Sequence, residues 1–474
     1  MRAHFLGSLL FVLLLIAGRC EAAGSSALRA GTAKIDITPA VETLRPGDRI
    51  RDRQYVRAIV LRNASACAVL VGVDQGMIPG TVIAAATVRV TGTINCPPTN
   101  IVISATHTHS GSTHGIEAGG EPNPQRVENA IVDAVVQAAG RMQAARIGFG
   151  TSDVYLNTNR DLFVDGQWMQ GPNPKGASDK TLAVLAVLDS YDRPLGVYMN
   201  YAMHPINFYL SGVVSSDVPG EASRYVEERY GSKTVAIFAQ GASGDQNPLF
   251  ARPLYRLVAS RTGSPSADDL RQSKPAPWVE MAQERNANAR LTESLKSPVP
   301  ADRMSAYENA IRDQSELVAA MGAILGETAI NIINYGTPRF TSEAAIGGVS
   351  ASLQCPGRDR LDQNNPVREG SLPPYSDGMP VTLKLGVLRL GDIHIVSIDG
   401  EIYSEIGARL KRESPASKLM ITTLANGIAN SGYIYSNEAG SHLTFQVISS
   451  RLKPGCAEDK IVNTAIELIS REHD

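Results

Sequence analysis

Seven short apolar runs punctuate this chain: Cys67 to Val73, Ile101 to Ser104, Leu182 to Leu188, Val197 to Ala202, Thr234 to Ala239, Val381 to Leu390 and Ile393 to Ile398. All are of strand length, and several are apolar at consecutive positions, so both faces of those strands need covering. Helical patterns lie between them. Val127, Ile131, Ala134, Val135 and Ala138 fall at i, i+4, i+7, i+8 and i+11, one face of a helix. A second helix is expected after Ser216-Asp217, through Glu221 to Glu228, and a long Ala-rich one at about 304–333. Strands alternating with helices make the fold α/β. No Pro/Gly/Ser linker divides the chain, so one large domain over 24–474 is expected, with a polar, partly helical excursion at about 255–335.

Residues 1–23 read as a secretory signal peptide: a charged start at Arg2, an apolar stretch from Phe5 to Ala17, and small residues at Ala22-Ala23. A secreted or periplasmic location follows. The apolar stretch falls short of a ~20-residue span and no later segment approaches that length, so the mature chain is expected to have no transmembrane segment. With Arg2, Arg19 and Glu21 removed, 43 basic residues face 46 acidic ones. No basic stripe with interleaved aromatics is present, which argues against nucleic acid as a partner. Four cysteines remain, Cys67, Cys96, Cys355 and Cys456; they allow three pairings, of which early with early and late with late is preferred. None has Cys-x-x-Cys spacing, so a cysteine zinc site is not indicated.

The chemistry gathers at strand ends. Ile101-Val102-Ile103-Ser104-Ala105-Thr106-His107-Thr108-His109-Ser110-Gly111 delivers two histidines with one residue between, and His114 follows. If the strand continues through them, His107 and His109 share a face about 7 Å apart, allowing one imidazole on a metal and the other free for proton transfer. Val197 to Ala202 leads to His204-Pro205, where the proline holds His204 extended. His394 to Asp399 runs into Gly400-Glu401 and a helix, and Asn426 to Tyr433 is a Gly/Asn-rich loop ending in an aromatic. Taken singly, each has an ordinary reading: a solvated or backbone-bonded histidine, a helix cap, a packing tyrosine.

Taken in order, Ala105-Thr106-His107-Thr108-His109-Ser110-Gly111, Asn159-Arg160, Asp179-Lys180, His204-Pro205, Ala239-Gln240 with Gly244-Asp245, Gly400-Glu401 and Gly432-Tyr433 resemble the catalytic-domain motifs of neutral ceramidases. The resemblance covers about residues 30–445 and implies a domain of mixed β-sheets flanked by helices. It further implies one Zn2+ held by His107, His204, Glu401 and Tyr433, with His109 and Arg160 beside it, in contact with substrate or its tetrahedral intermediate. Two imidazoles and a carboxylate are a ligand set of hydrolytic zinc sites. His109 would relay a proton and Arg160 would stabilise the oxyanion.

Three departures modify this. Asn247 stands where the family carries a serine, so a covalent serine mechanism does not transfer; Ser243 is close, but Gly241-Ala242-Ser243-Gly244-Asp245 is not a Gly-x-Ser-x-Gly elbow. Phe445-Gln446 replaces a Tyr-Glu pair, with His442 the group that would substitute for the lost phenol. The family continues into a C-terminal β-sandwich, whereas this sequence stops at Asp474. The expected function is a zinc-dependent amidohydrolase that cleaves a linear amide of an N-acylated, ceramide-like small-molecule or lipid-like substrate by zinc-activated water, with His109, Arg160 and Asn247 catalytic. The same zinc site acting on an ester or carbohydrate linkage is one alternative. A catalytically inactive metal-containing binding protein is another.

Overall fold

A computed structural model of the chain describes residues 27–111, 122–231, 233–250, 256–257, 259–261, 297–337, 339–363 and 367–471. The leader, His114 and, within the 255–335 excursion, residues 255, 258 and 262–296 lie outside those residues. The first sheet holds β1 (Arg29–Asp36), β2 (Tyr55–Arg62), β3 (Cys67–Val73), β4 (Ile101–Ala105) and β5 (Gln143–Ala144), ordered β4-β3-β2-β1-β5, with only β3 and β4 parallel. Next in the chain come β6 (Arg146–Asp153), β7 (Asn157–Val164), β8 (Gln167–Asn173), β9 (Thr181–Leu188), β10 (Pro194–Tyr201), β11 (Val235–Gln240) and β12 (Gln246–Pro248). They form a second sheet, β11-β10-β9-β6, and a small one, β12-β7-β8. A further sheet runs β13 (Ile346–Arg360), β14 (Tyr375–Leu390), β15 (Ile393–Ile398) and, after the two-residue strand β16 (Glu401–Ile402), β17 (Lys418–Thr422). β16 pairs in parallel with β18 (Tyr433–Ile434).

Continuous apolar runs are explained by what covers each face. Along β2, Ala58 and Val60 face helices α1 (Gly80–Ile94) and α2 (Pro124–Gly140), while Ile59 and Leu61 point into a core shared with Leu185 and Tyr198 of the second sheet and Leu388 and Ile395 of the third. Sheets pack on sheets centrally, and helices cover the outer faces. α3 (Asp217–Tyr230) and α4 (Met304–Asn331) cover the second sheet, and α5 (Ser404–Glu413) with α6 (Ala457–Arg471) the third. The α/β reading with mixed sheets flanked by helices therefore holds. The 304–331 part of the expected excursion is a core helix, with Tyr307, Val318, Met321 and Leu325 buried.

One expectation needs amending. The helical stretch Ala301–Gly336 is long and apolar enough to cross a membrane by length and composition, although half of its apolar window is packed inside this fold.

The disulfides are Cys67–Cys96 and Cys355–Cys456, 29 and 101 residues apart. Chain-entropy estimates give about 4 kcal/mol for the shorter closure and about 5 kcal/mol for the longer. Thermal melts of Cys67→Ser/Cys96→Ser and Cys355→Ser/Cys456→Ser should both fall, the second further; equal Tm values for all three proteins would contradict this.

Candidate metal centre

Three of the parallel strand pairs, β3–β4, β10–β11 and β15–β17, send their C-terminal loops to one place. β4 stops at Ala105, so His107 is not on a strand: its φ is 67°, in the left-handed region, and the same-face, 7 Å expectation fails. The turn is held by Thr106 N donating to Val73 O (2.9 Å), His107 N to Gln75 O (2.9 Å) and His107 Nδ1 to Gly76 O (2.7 Å). As a result the His107 and His109 rings lie 4.6 Å apart, with Nε2 atoms at 3.3 Å. His109 N donates to Pro205 O (3.1 Å), which ties this loop to the next histidine.

His204 is fully buried, and its Nδ1 faces Ser243 O at 2.8 Å and Gln246 O at 3.2 Å, on the loop after β11. Glu401 reaches the site from β16, paired to Tyr433. Gly244 makes that approach possible: its N donates to Ile402 O (2.8 Å), and a Cβ there would sit 2.8 Å from Glu401 O. Gly244→Ala should therefore displace Glu401 and weaken metal retention with a loss of thermal stability. Unchanged metal content and Tm would refute that account.

His107 Nε2, His204 Nε2 and Glu401 Oε2 lie 3.1 Å from one another. Both histidines commit Nδ1–H to backbone carbonyls, which leaves each Nε2 a lone pair. Burial holds His204 down at about 3, with the Arg160 charge adding to the effect, so it is neutral. Burial, then neighbouring His107, keeps His109 well below its ordinary value. The site is thus three acceptors facing one another at contact distance, an arrangement that calls for a cation. His107, His109 and His204 also form a group with ligand atoms within 4.8 Å. His109 differs from the other two in that, among the described residues, no carbonyl is recorded at its Nδ1, and its ring meets Tyr209 edge-on at 5.4 Å.

Arg160, fully buried on β7, donates from Nε (3.1 Å) and Nη2 to Gly244 O and from Nη1 to Asn247 Oδ1 (3.1 Å); Nη2 is 3.5 Å from His204 Nε2. Asn247 thus meets Arg160 as an acceptor. Its guanidinium lies 5.3 Å from the Tyr433 ring centre. The Tyr433 ring is 6.3 Å from His204, and burial, with the Glu401 charge, pushes its phenol up to about 12. Ser243, 2% exposed, accepts at Oγ from Gln240 Nε2 (2.6 Å), and its carbonyl orients His204. Phe445 presents its ring edge-on to Tyr433 at 6.3 Å, and its N donates to Glu369. His442 is engaged elsewhere: Nδ1 meets Asp161 Oδ2 at 3.0 Å and the ring stacks on Trp168 at 3.6 Å. Sequence reading missed the carbonyls of Gly76, Ser243 and Gln246, which carry no residue signature. It also missed the aromatic contact of Tyr209.

Residues 41–255 match the family described as neutral/alkaline non-lysosomal ceramidase, N-terminal. That stretch is similar in sequence to those proteins, and the fold is like that of their solved structures. It is 24% identical to a neutral ceramidase of Pseudomonas aeruginosa, over 88% of this chain and 67% of that protein. Identity to neutral ceramidase B of Dictyostelium discoideum is 28%, over 50% of this chain and 38% of that protein. Among solved structures, a ceramidase complexed with C2 superposes with a TM-score of 0.66 at 15% identity, covering 94% of this chain and 76% of that one. The neutral ceramidase crystal structure from Pseudomonas aeruginosa gives 0.64 at 17% identity, covering 94% and 75%.

Proposed function

We propose that the chain is a zinc-dependent hydrolase that cleaves a linear amide bond of an N-acylated, ceramide-like substrate by attack of water. The carrying observation is the 3.1 Å triangle of His107 Nε2, His204 Nε2 and Glu401 Oε2, all acceptors. Tetrahedral zinc with ligands at about 2.0–2.1 Å sets neighbouring ligand atoms about 3.3 Å apart, close to that triangle, and two imidazoles with a carboxylate are a hydrolytic set. Tyr433, opposite Glu401, is the fourth candidate ligand. When bound, the ion polarises the carbonyl and makes water acidic enough to attack near neutral pH.

The protein's own groups do the rest. Neutral His109, beside the cluster, takes the proton that the attacking water gives up and passes it to the departing amine, returning to the neutral form. Arg160 faces the charge that grows on the carbonyl oxygen, with Asn247 Oδ1 and Gly244 O fixing its plane. Tyr209 on His109, Phe445 on Tyr433, and the partly exposed Leu249 and Phe250 just beyond Asn247 provide apolar surface of the kind that an acyl chain buries. The names of the relatives favour a ceramide-like substrate over an ester or a carbohydrate. A panel of N-acyl, ester and glycoside substrates, run with chelator and with zinc restored, tests the reading. Amide turnover lost to chelator and regained with zinc supports it; glycoside or ester turnover alone, or none, overturns it.

A further inference from the structure

Arg57 and Arg160 are both buried in this fold, and they are treated differently. Arg57 lies between two carboxylates, Asp74 Oδ2 at 2.7 Å and Glu227 Oε1 at 2.9 Å. Around Arg160, no carboxylate among the described residues comes within salt-bridge distance. Asp161, next in sequence, turns its carboxylate to His442 and Tyr403. Asp245 gives Arg160 only its backbone carbonyl, and its side chain takes Ser404 and Asn159. Glu369 accepts from the backbone of Gln170 and Phe445. The guanidinium is instead held by neutral oxygens, those of Gly244 and Asn247, the Tyr433 phenol and the amide of Gln446.

The Gln446 amide orientation is fixed by chemistry. Arginine offers only donors, so the amide oxygen must face it. In that orientation Oε1 accepts from Arg160 Nε at 2.7 Å and from Gln170 Nε2 at 3.3 Å, while Nε2 donates to Thr444 Oγ1 at 3.2 Å. A glutamate here would fit the same space and cancel the charge; a glutamine holds the plane of the guanidinium and leaves the charge unspent. Burying a cation with no ion-pair partner in contact is costly, and the Glu401 charge, itself turned to His107 and His204, offsets it only from a distance, which favours an anionic oxygen at the guanidinium.

We propose that Gln446 is a positioning residue that keeps the Arg160 charge available, making the pocket a receptor for an anionic oxygen. This rests on the proposed hydrolase reading only for what the anion is: a carboxylate carried by the substrate, or the oxyanion formed as the amide is attacked. Anion binding itself does not depend on that reading.

The test is inorganic phosphate binding to the full-length, chelator-treated protein by calorimetry, with Gln446→Glu, Gln446→Met and Arg160→Met as variants and circular dichroism as the control for folding. Gln446→Glu and Arg160→Met should each weaken phosphate about tenfold or more, and the neutral Gln446→Met, which loses the orienting hydrogen bond but adds no charge, should weaken it by clearly less than either. Equal binding by the parent and Gln446→Glu overturns the proposal, as does an equal loss in Gln446→Met, which would mark a merely structural role. Kinetics on zinc-loaded protein then separate the two anions. With a substrate carboxylate, Gln446→Glu raises KM for an N-acyl amino acid and spares a neutral N-acyl amine. With an oxyanion, it lowers kcat for both. No turnover of any N-acyl compound, with the phosphate pattern intact, removes the hydrolase reading and leaves the receptor standing.

Discussion

His204→Ala is expected to fold yet fail to retain zinc through dialysis. The residue is fully buried, contributes one corner of the acceptor triangle, and cannot be replaced by a neighbour without moving the 241–246 loop. Losing an outer-shell partner costs metal sites about 10–100-fold in affinity, and losing a ligand costs more. The substitution also removes the imidazole's hydrogen bond to Ser243 O, which keeps Gln246 N as a donor, so the stability lost with that bond is about 0.5–1.5 kcal/mol. Glu401→Gln, which keeps the shape, is therefore the companion variant and should lose zinc as well. One equivalent of zinc by elemental analysis in either protein would remove that residue from the ligand set. His109→Ala should keep its zinc while turnover collapses. Equal metal loss there would make His109 a third imidazole ligand, an outcome that the 3.3 Å approach of its Nε2 to His107 gives reason to measure.

Much of the fold was legible because burial on both faces writes a strand as an unbroken apolar run: β15 lies on the expected Ile393 to Ile398, and β9 begins one residue early. The site was legible as residue types at strand ends, since parallel strands deliver their following residues to one edge. Its geometry was not. Whether a strand continues through Thr106-His107 depends on hydrogen bonds that their N–H groups donate to the carbonyls of Val73 and Gln75, distant in sequence, and these turn His107 into a left-handed conformation that no local pattern announces. The same holds for Asn247, read as catalytic, whose Oδ1 accepts from Arg160. His442, read as a substitute for a phenol, is claimed by Asp161 and Trp168.

Arg160→Met should slow amide hydrolysis by about 10²–10³-fold while leaving zinc content unchanged, the usual effect of losing one preorganised donor to developing negative charge. Asn247→Ala should do less, because it removes only one of several acceptors that orient the guanidinium. The chemistry should leave no trace on the protein. Ser243 is the one hydroxyl close enough in sequence to suggest an acyl-enzyme, yet it is 2% exposed and its Oγ takes the Gln240 amide. His204 meets Ser243 at the backbone carbonyl and turns Nε2 away toward His107 and Glu401, so that imidazole is not placed as a base for the hydroxyl. Mass spectrometry of a quenched reaction should therefore find only unmodified chain, and Ser243→Ala should hydrolyse amide at close to the parent rate. A substrate-derived adduct on Ser243 or any other side chain would replace direct attack by water with covalent catalysis.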